Sequence, residues 1–165
     1  MIPVRIDTLV VGTPPAPSVL VLRPLDNRQG QGRVLPIWIG PTEAISIGMA
    51  LQDKQPARPM THDLFGSFLE VSDAKLDYVI ISNVIETTFF ATVVLTQNGE
   101  SKNIDARPSD SIALAIREKA PIYVEDHVLD LAAFPEVFNP VNAAKIETEA
   151  FHEFIEKVNP EDFKV

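Results

Sequence analysis

Between Leu76 and Asp105 the chain carries three β-patterned runs with very little between them: Leu76–Ile85, Thr88–Thr96, and a short run through Asn103-Ile104-Asp105. The second and third are separated by Asn98-Gly99, the dipeptide most suited to a tight hairpin turn. Such spacing predicts an antiparallel meander, and the rest of the fold must be built around it. At 165 residues the chain is long enough for one domain with a core and too short for two comfortable ones. The expected division is a domain over 1–134 followed by a helical tail over 135–165.

Upstream, Val4 to Val11 alternates as a half-buried strand and Ser18 to Leu22 is a short apolar run, joined through the proline-rich stretch 12–17 as a hairpin. Val34 to Ile39 forms a third strand, whose Pro36 cannot donate to a ladder and marks an edge or bulge. Pro41 has the fixed φ of a first helical residue, so a helix should run from there to about Gln52, apolar nearly all round and buried on several sides. Thr61 is the expected N-cap of a second helix that turns Leu64, Phe65, Phe68 and Leu69 inward. Arg107-Pro108 opens a third helix to Lys119, Pro121 to Val124 is a closing strand, and 126–134 holds a further helical turn or two. Over 141–158, Phe151, Phe154, Ile155 and Val158 recur at helical spacing among charged residues, an amphipathic helix able to dock on its own domain or a protein partner. The predicted class is α+β, with a curved, mainly antiparallel mixed sheet, about three packed helices and this C-terminal helix.

The absence of cysteine removes disulfides, thiolate metal sites and a cysteine nucleophile. Site chemistry must use oxygen and nitrogen, and no motif for an organic cofactor is present. No signal-peptide pattern and no apolar run long enough for a membrane span occur, so the expectation is a cytoplasmic protein with no membrane contact. The net charge of −9 lacks the cationic surplus that grips a phosphate backbone. Any nucleic-acid binding must use a local cationic patch or a metal ion, and should be weak and salt-sensitive.

Two stretches echo each other: Arg58-Pro59-Met60-Thr61-His62-Asp63 and Arg107-Pro108-Ser109-Asp110. Each sets an arginine before a proline, then a hydroxyl and an aspartate at a helix start, where free N–H groups and the helix dipole favour an anion. Arg58, Thr61, Arg107 and Ser109 are therefore candidate phosphate binders. The simpler alternative is that Thr61 and Ser109 are caps and that the arginines pair with Asp63 and Asp110. Glu43, Asp63, Asp105 and Asp110 form a pool of oxygen donors from which Asp105, Asp110 and Glu43 are the candidate ligands of Mg²⁺ or Mn²⁺. His62 should diverge from Asp63 on the helix, free to act as general acid or base or to rest on a backbone carbonyl. Asp110 and Arg117, two turns apart, should not pair directly. The phenylalanines sit in apolar runs and read as core, so no base-stacking platform is expected.

Five segments in order resemble the bifunctional nuclease domain family: 35–40 with Glu43-Ala44, 58–64, 88–91, 104–115 and 121–124. Together they span roughly Val4 to Leu131. Phe90 stands where tyrosine is common and Met60 where leucine is common. The resemblance implies an α+β fold, a homodimer, and nuclease activity on RNA and DNA, with Glu43, Arg58, Thr61, His62, Asp63, Asp105, Arg107, Ser109 and Asp110 at the family's polar positions. In that reading the catalytic set is His62, Asp63, Asp105, Asp110 and Glu43. A non-enzymatic module that binds phosphate or a nucleotide, and recruits a partner through its C-terminal helix, is the competing expectation.

Overall fold

The strand pairs that short turns predict are all formed. The computed structural model describes residues 1–12, 16–25, 32–54 and 56–135. In chain order these give β1 (Ile2–Val10), β2 (Ser18–Pro24), β3 (Arg33–Ile39), α1 (Pro41–Leu51), α2 (Thr61–Val71), β4 (Ala74–Ile85), β5 (Thr88–Gln97), β6 (Glu100–Ala106), α3 (Pro108–Glu118), β7 (Ile122–Val124), α4 (Asp126–Ala132) and β8 (Phe134–Pro135). At the β5–β6 turn Asn98 and Gly99 take φ of 54° and 77°. Two successive positive values are the type I′ geometry whose twist matches the flanking strands.

One mixed sheet results, in the order β6-β5-β4-β7-β1-β2-β3-β8. Every pairing described within it is antiparallel except that of β4 with β7, where Val79, Ile80 and Ile81 run parallel to Ile122, Tyr123 and Val124. The fold is therefore α+β. Pro36 is tolerated as expected: β3 pairs with β2 on one side, Pro36 facing Val21, and has only the two-residue β8 beyond it.

The core lies between one face of the sheet and the helices. Val79, Ile81, Ala91, Val93, Leu95 and Val124 point to that face and meet Ile47, Ile112, Leu114, Ala115 and Leu129. Helix α3 packs against both α1 and α2, so it is the central helix of the layer. Its polar Pro108-to-Ser111 start is itself buried except for Asp110.

Two sequence expectations fail on the helices. The apolar face of α2 does not turn inward as a whole: Leu69 is 4% exposed, but Leu64 is 64% and Phe68 59%, and Phe65 and Val71 are exposed too. Leu69 alone reaches the cluster of Leu76, Val93, Leu95 and Leu114; among the described residues α3 is the helix that packs on α2, and the opposite flank is left exposed. In α1, only Ala44, Ser46 and Ile47 are buried, while Ile45 and Leu51 face out, so burial is on one side. Among the described residues no helix is long and apolar enough to cross a membrane. The helix expected over 141–158 and nearly all of the 135–165 tail lie outside the described residues.

Candidate functional site

Proline placement starts two of the three helices that matter. Pro41 and Pro108 are the first residues of α1 and α3, and Gly40 and Arg107 are their extended N-caps. The start of α2 is shifted by one from expectation: Met60 is the N-cap and Thr61 already helical. Asp63, the third helical residue, accepts the Met60 N–H on Oδ2 at 2.8 Å, the reciprocal bond of a capping box, and so holds Met60 as the N-cap.

Because α3 lies between α1 and α2, side chains from all three meet along it. Arg107 donates from Nε to Asp110 Oδ2 (2.7 Å) and from Nη2 to both Asp110 Oδ1 (3.1 Å) and Glu43 Oε1 (3.1 Å). His62 Nε2 lies 3.2 Å from Asp110 Oδ1, and His62 Nδ1 lies 2.9 Å from Ser46 Oγ. Arg117 donates to Asp63 Oδ1 (2.5 Å), to the Ala113 carbonyl (2.9 Å), and to the carbonyl and hydroxyl of Ser46 (3.3 and 3.2 Å). The result is one connected chain of polar groups, Glu43–Arg107–Asp110–His62–Ser46–Arg117–Asp63.

This chain runs from surface to interior. The Arg107 side chain is 66% exposed and Asp110 37%, whereas His62 is 15% and Arg117 12%. Glu43 reaches Arg107 by folding back over Gly40, where a Cβ would stand 2.2 Å from Glu43 Oε2. Glycine at the N-cap thus leaves room for the carboxylate.

The charges shift one another in consistent directions. Burial pushes the Asp110 carboxyl up, but hydrogen bonds from Arg107 and His62 with the Arg107 charge outweigh it and hold Asp110 below the ordinary carboxylate value. The hydrogen bond to Asp110 raises Arg107, aided by Glu43. The Arg117 hydrogen bond, opposed by burial and aided by the Met60 N–H, lowers Asp63.

Of the residues singled out in the sequence, Glu43, His62, Asp63, Arg107 and Asp110 converge. His62 and Asp63 do diverge, one toward Asp110 and the other toward Arg117, and Arg117 does not pair with Asp110. The remaining candidates stand apart. Asp105 pairs across the ladder with Thr92, one step from the Val93–Ile104 pair that shares the helix side, so its side chain is on the opposite sheet face. It has no polar partner among the described residues. Arg58 and Thr61 are exposed and likewise without one. Ser109 is buried and caps nothing.

Among the described residues no three histidine, aspartate or glutamate side chains stand close enough to hold a metal ion. Asp110 and Glu43 are bridged by a guanidinium that occupies the place between them, and Asp105 is on the wrong face. These donors do not form a ready divalent-ion site.

Sequence reasoning missed Ser46 and Arg117. Ser46 is the only polar side chain between Ala44 and Leu51, a signal that was available. Arg117 was weighed only against Asp110 on its own helix, while its partner Asp63 is 54 positions away.

The sequence profile of the bifunctional nuclease domain matches residues 22–136. An uncharacterised protein of Mycobacterium tuberculosis is 37% identical over 98% of this chain and 97% of its own length. Bifunctional nuclease 1 of Arabidopsis thaliana is 26% identical over 82% of this chain, and bifunctional nuclease 2 of Oryza sativa subsp. japonica 31% over 67%. The matched regions cover 40% and 34% of those two plant proteins. By the profile match and the full-length bacterial relative, this chain belongs to the bifunctional nuclease domain family.

Proposed function

We infer that the chain hydrolyses phosphodiester bonds of RNA and DNA at the start of α3. The observation that carries this is the convergence of Arg107, Asp110 and His62 on the outer end of the polar chain, in a domain whose plant relatives are named nucleases. Arg107 is the exposed cation that meets a phosphate, in fork geometry suited to two of its oxygens. Asp110 orients the attacking water and takes up its proton, and His62 behind it holds the Asp110 carboxyl in place through the Nε2 contact. The buried N-terminus of α3, with Ser109, adds dipole favour for the anion. Electrostatic stabilisation of the transition state then comes from this chain's own cation in place of a general positive surface. Arg58 and Thr61 are assigned to more distant backbone phosphates.

Mg²⁺ or Mn²⁺ enters this reading only as an ion carried by the substrate's phosphates. The test uses protein purified free of contaminating nuclease, with single-stranded RNA and DNA as substrates, in Mg²⁺, in Mn²⁺ and in chelator. Release of nucleotides by the wild type, lost in both Asp110→Asn and His62→Ala, is the expected result. No release under any metal condition, or full activity in both variants, overturns it. Stabilisation by a nucleotide without turnover, abolished in Arg107→Ala, would replace the enzyme by a phosphate-binding regulatory module.

We also assign a homodimer to the exposed flank of α2. Leu64, Phe65 and Phe68 form an apolar strip there, and Phe65 and Phe68 are in ring contact at 6.3 Å.

A further inference from the structure

We propose that Ser46 and Arg117 are positioning residues that hold His62 in one tautomer, with the proton on Nε2, so that its N–H is aimed at Asp110. The inference deepens the reading above and rests on it only for its kinetic consequence.

Both ends of the imidazole lead to the same assignment. At one end an ionised carboxylate can only accept, so at 3.2 Å from Asp110 Oδ1 the His62 Nε2 must donate. At the other end Arg117 can only donate, so Ser46 Oγ accepts from it at 3.2 Å. The single hydroxyl proton of Ser46 then needs an acceptor. Ser46 is 2% exposed, so water does not serve, and among the described residues the only acceptor for it is His62 Nδ1 at 2.9 Å. A proton on Nδ1 would leave this buried hydroxyl proton unpaired. Donor counting therefore makes Nδ1 the acceptor and Nε2 the N–H, without any appeal to titration.

Arg117 is held in turn. Its Nε and Nη1 are fixed by Asp63 and the Ala113 carbonyl, so Nη2 has little freedom to leave Ser46. The pair Asp63–Arg117 thus fixes Ser46, Ser46 fixes His62, and His62 presents a proton to Asp110. The functional consequence is a division of labour: Asp110, the more exposed of the two, is the group that meets water or substrate, and His62 is its donor from behind.

The direct test is nitrogen-15 NMR of the imidazole rings in the intact chain at about pH 8, where histidine is ordinarily neutral. The His62 signals are identified by their loss in His62→Gln. Nε2 should resonate as a protonated nitrogen and Nδ1 as an unprotonated acceptor. The reverse pattern, or shifts averaged between the two, overturns the proposal on the wild type alone. In Ser46→Ala the shifts should move toward the average, and in Ser46→Thr, which keeps the hydroxyl, the wild-type pattern should return. An unchanged pattern in Ser46→Ala overturns the positioning role. Should Ser46→Ala not fold, Arg117→Lys, which cannot reach Asp63, Ala113 and Ser46 together, tests the same dependence. In the hydrolysis assay Ser46→Ala should lower kcat about tenfold with KM unchanged, and Ser46→Thr should recover it. A chain that releases no nucleotides at all defeats the nuclease reading and leaves the spectroscopic result to stand or fall by itself.

Discussion

Replacing Arg117 with methionine keeps an unbranched apolar stem of about the same length and removes the guanidinium. Four hydrogen bonds go with it, to Asp63, the Ala113 carbonyl and both oxygens of Ser46. Truncating one member of a fully buried ion pair costs about 3–5 kcal/mol, chiefly by stranding the other charge. Here Asp63 is 28% exposed and keeps the Met60 N–H, so it is partly rehydrated and the cost falls to about 2–3 kcal/mol. For a domain of this size that is a drop in Tm of roughly 6–10 °C. Urea unfolding of the wild type, Arg117→Met, Asp63→Asn and the double variant gives the coupling directly, with an expected value of about 1–2 kcal/mol. A coupling under about 0.3 kcal/mol would equate the pair with an exposed surface contact and refute the reasoning. The pH dependence has a fixed sign. Because the folded Asp63 carboxyl is lowered by Arg117, the pair's stabilisation is fully present above the ordinary carboxylate value and is lost as pH falls through the lowered folded one. The gap between wild type and Arg117→Met should therefore narrow below about pH 4.

Leu69→Ala should cost about 2–4 kcal/mol in urea unfolding, since Leu69 is the one α2 side chain in the core, whereas Val71→Ala should stay within about 0.5 kcal/mol. Asp105→Ala should leave stability within about 0.5 kcal/mol and hydrolysis intact, because its side chain is exposed on the far sheet face; a loss matching that of Asp110→Asn would contradict the site drawn above. Phe68→Glu should convert a dimer to a monomer in sedimentation equilibrium, and a wild type that is monomeric at high concentration would remove the assembly assigned to α2. Gly40→Ala should change stability by less than about 1 kcal/mol, as the backbone there is extended, yet should displace the Glu43 carboxylate and free Arg107, read as tighter binding of inorganic phosphate.

The sheet was the more legible part of the molecule because its rules are local. Alternation names the strands, Asn98-Gly99 names a turn type, and Pro36 names an outer strand, each without knowledge of the rest of the fold. The helices were legible in extent and less so in environment. Leu64, Phe65 and Phe68 have core composition and helical spacing, but burial also needs a neighbour, and among the described residues α2 is the outer helix on that side. The site divides along the same line. Residues at helix starts announce themselves, and Arg107, Asp110, His62, Asp63 and Glu43 do lie close together; the two Arg-Pro stretches are unequal, Arg107 bound to Asp110 and Arg58 exposed. Asp105 stands apart from the others because strand parity, set by the register of β6 against β5, turns it to the opposite sheet face. Ser46 stands out as the one polar residue in an apolar stretch, but the side chains that Ser46 and Arg117 join lie 16, 54 and 71 positions apart, and nothing local names those pairings.

The three-residue strand β7 sets an order of assembly. It is the sole bridge between the N-terminal hairpin strands and the meander of β4 to β6, parallel to one and antiparallel to the other. A ribosome that has released only the first 120 residues has emitted both halves of the sheet without the strand that joins them. Until Val124 emerges, no strand residue pairs with both Ile2 and Ile81, and each half shows a raw edge to the cell. Closing the sheet must therefore be a late and cooperative event, and growth conditions that slow synthesis just before this point should expose the chain to aggregation more than a pause anywhere after it.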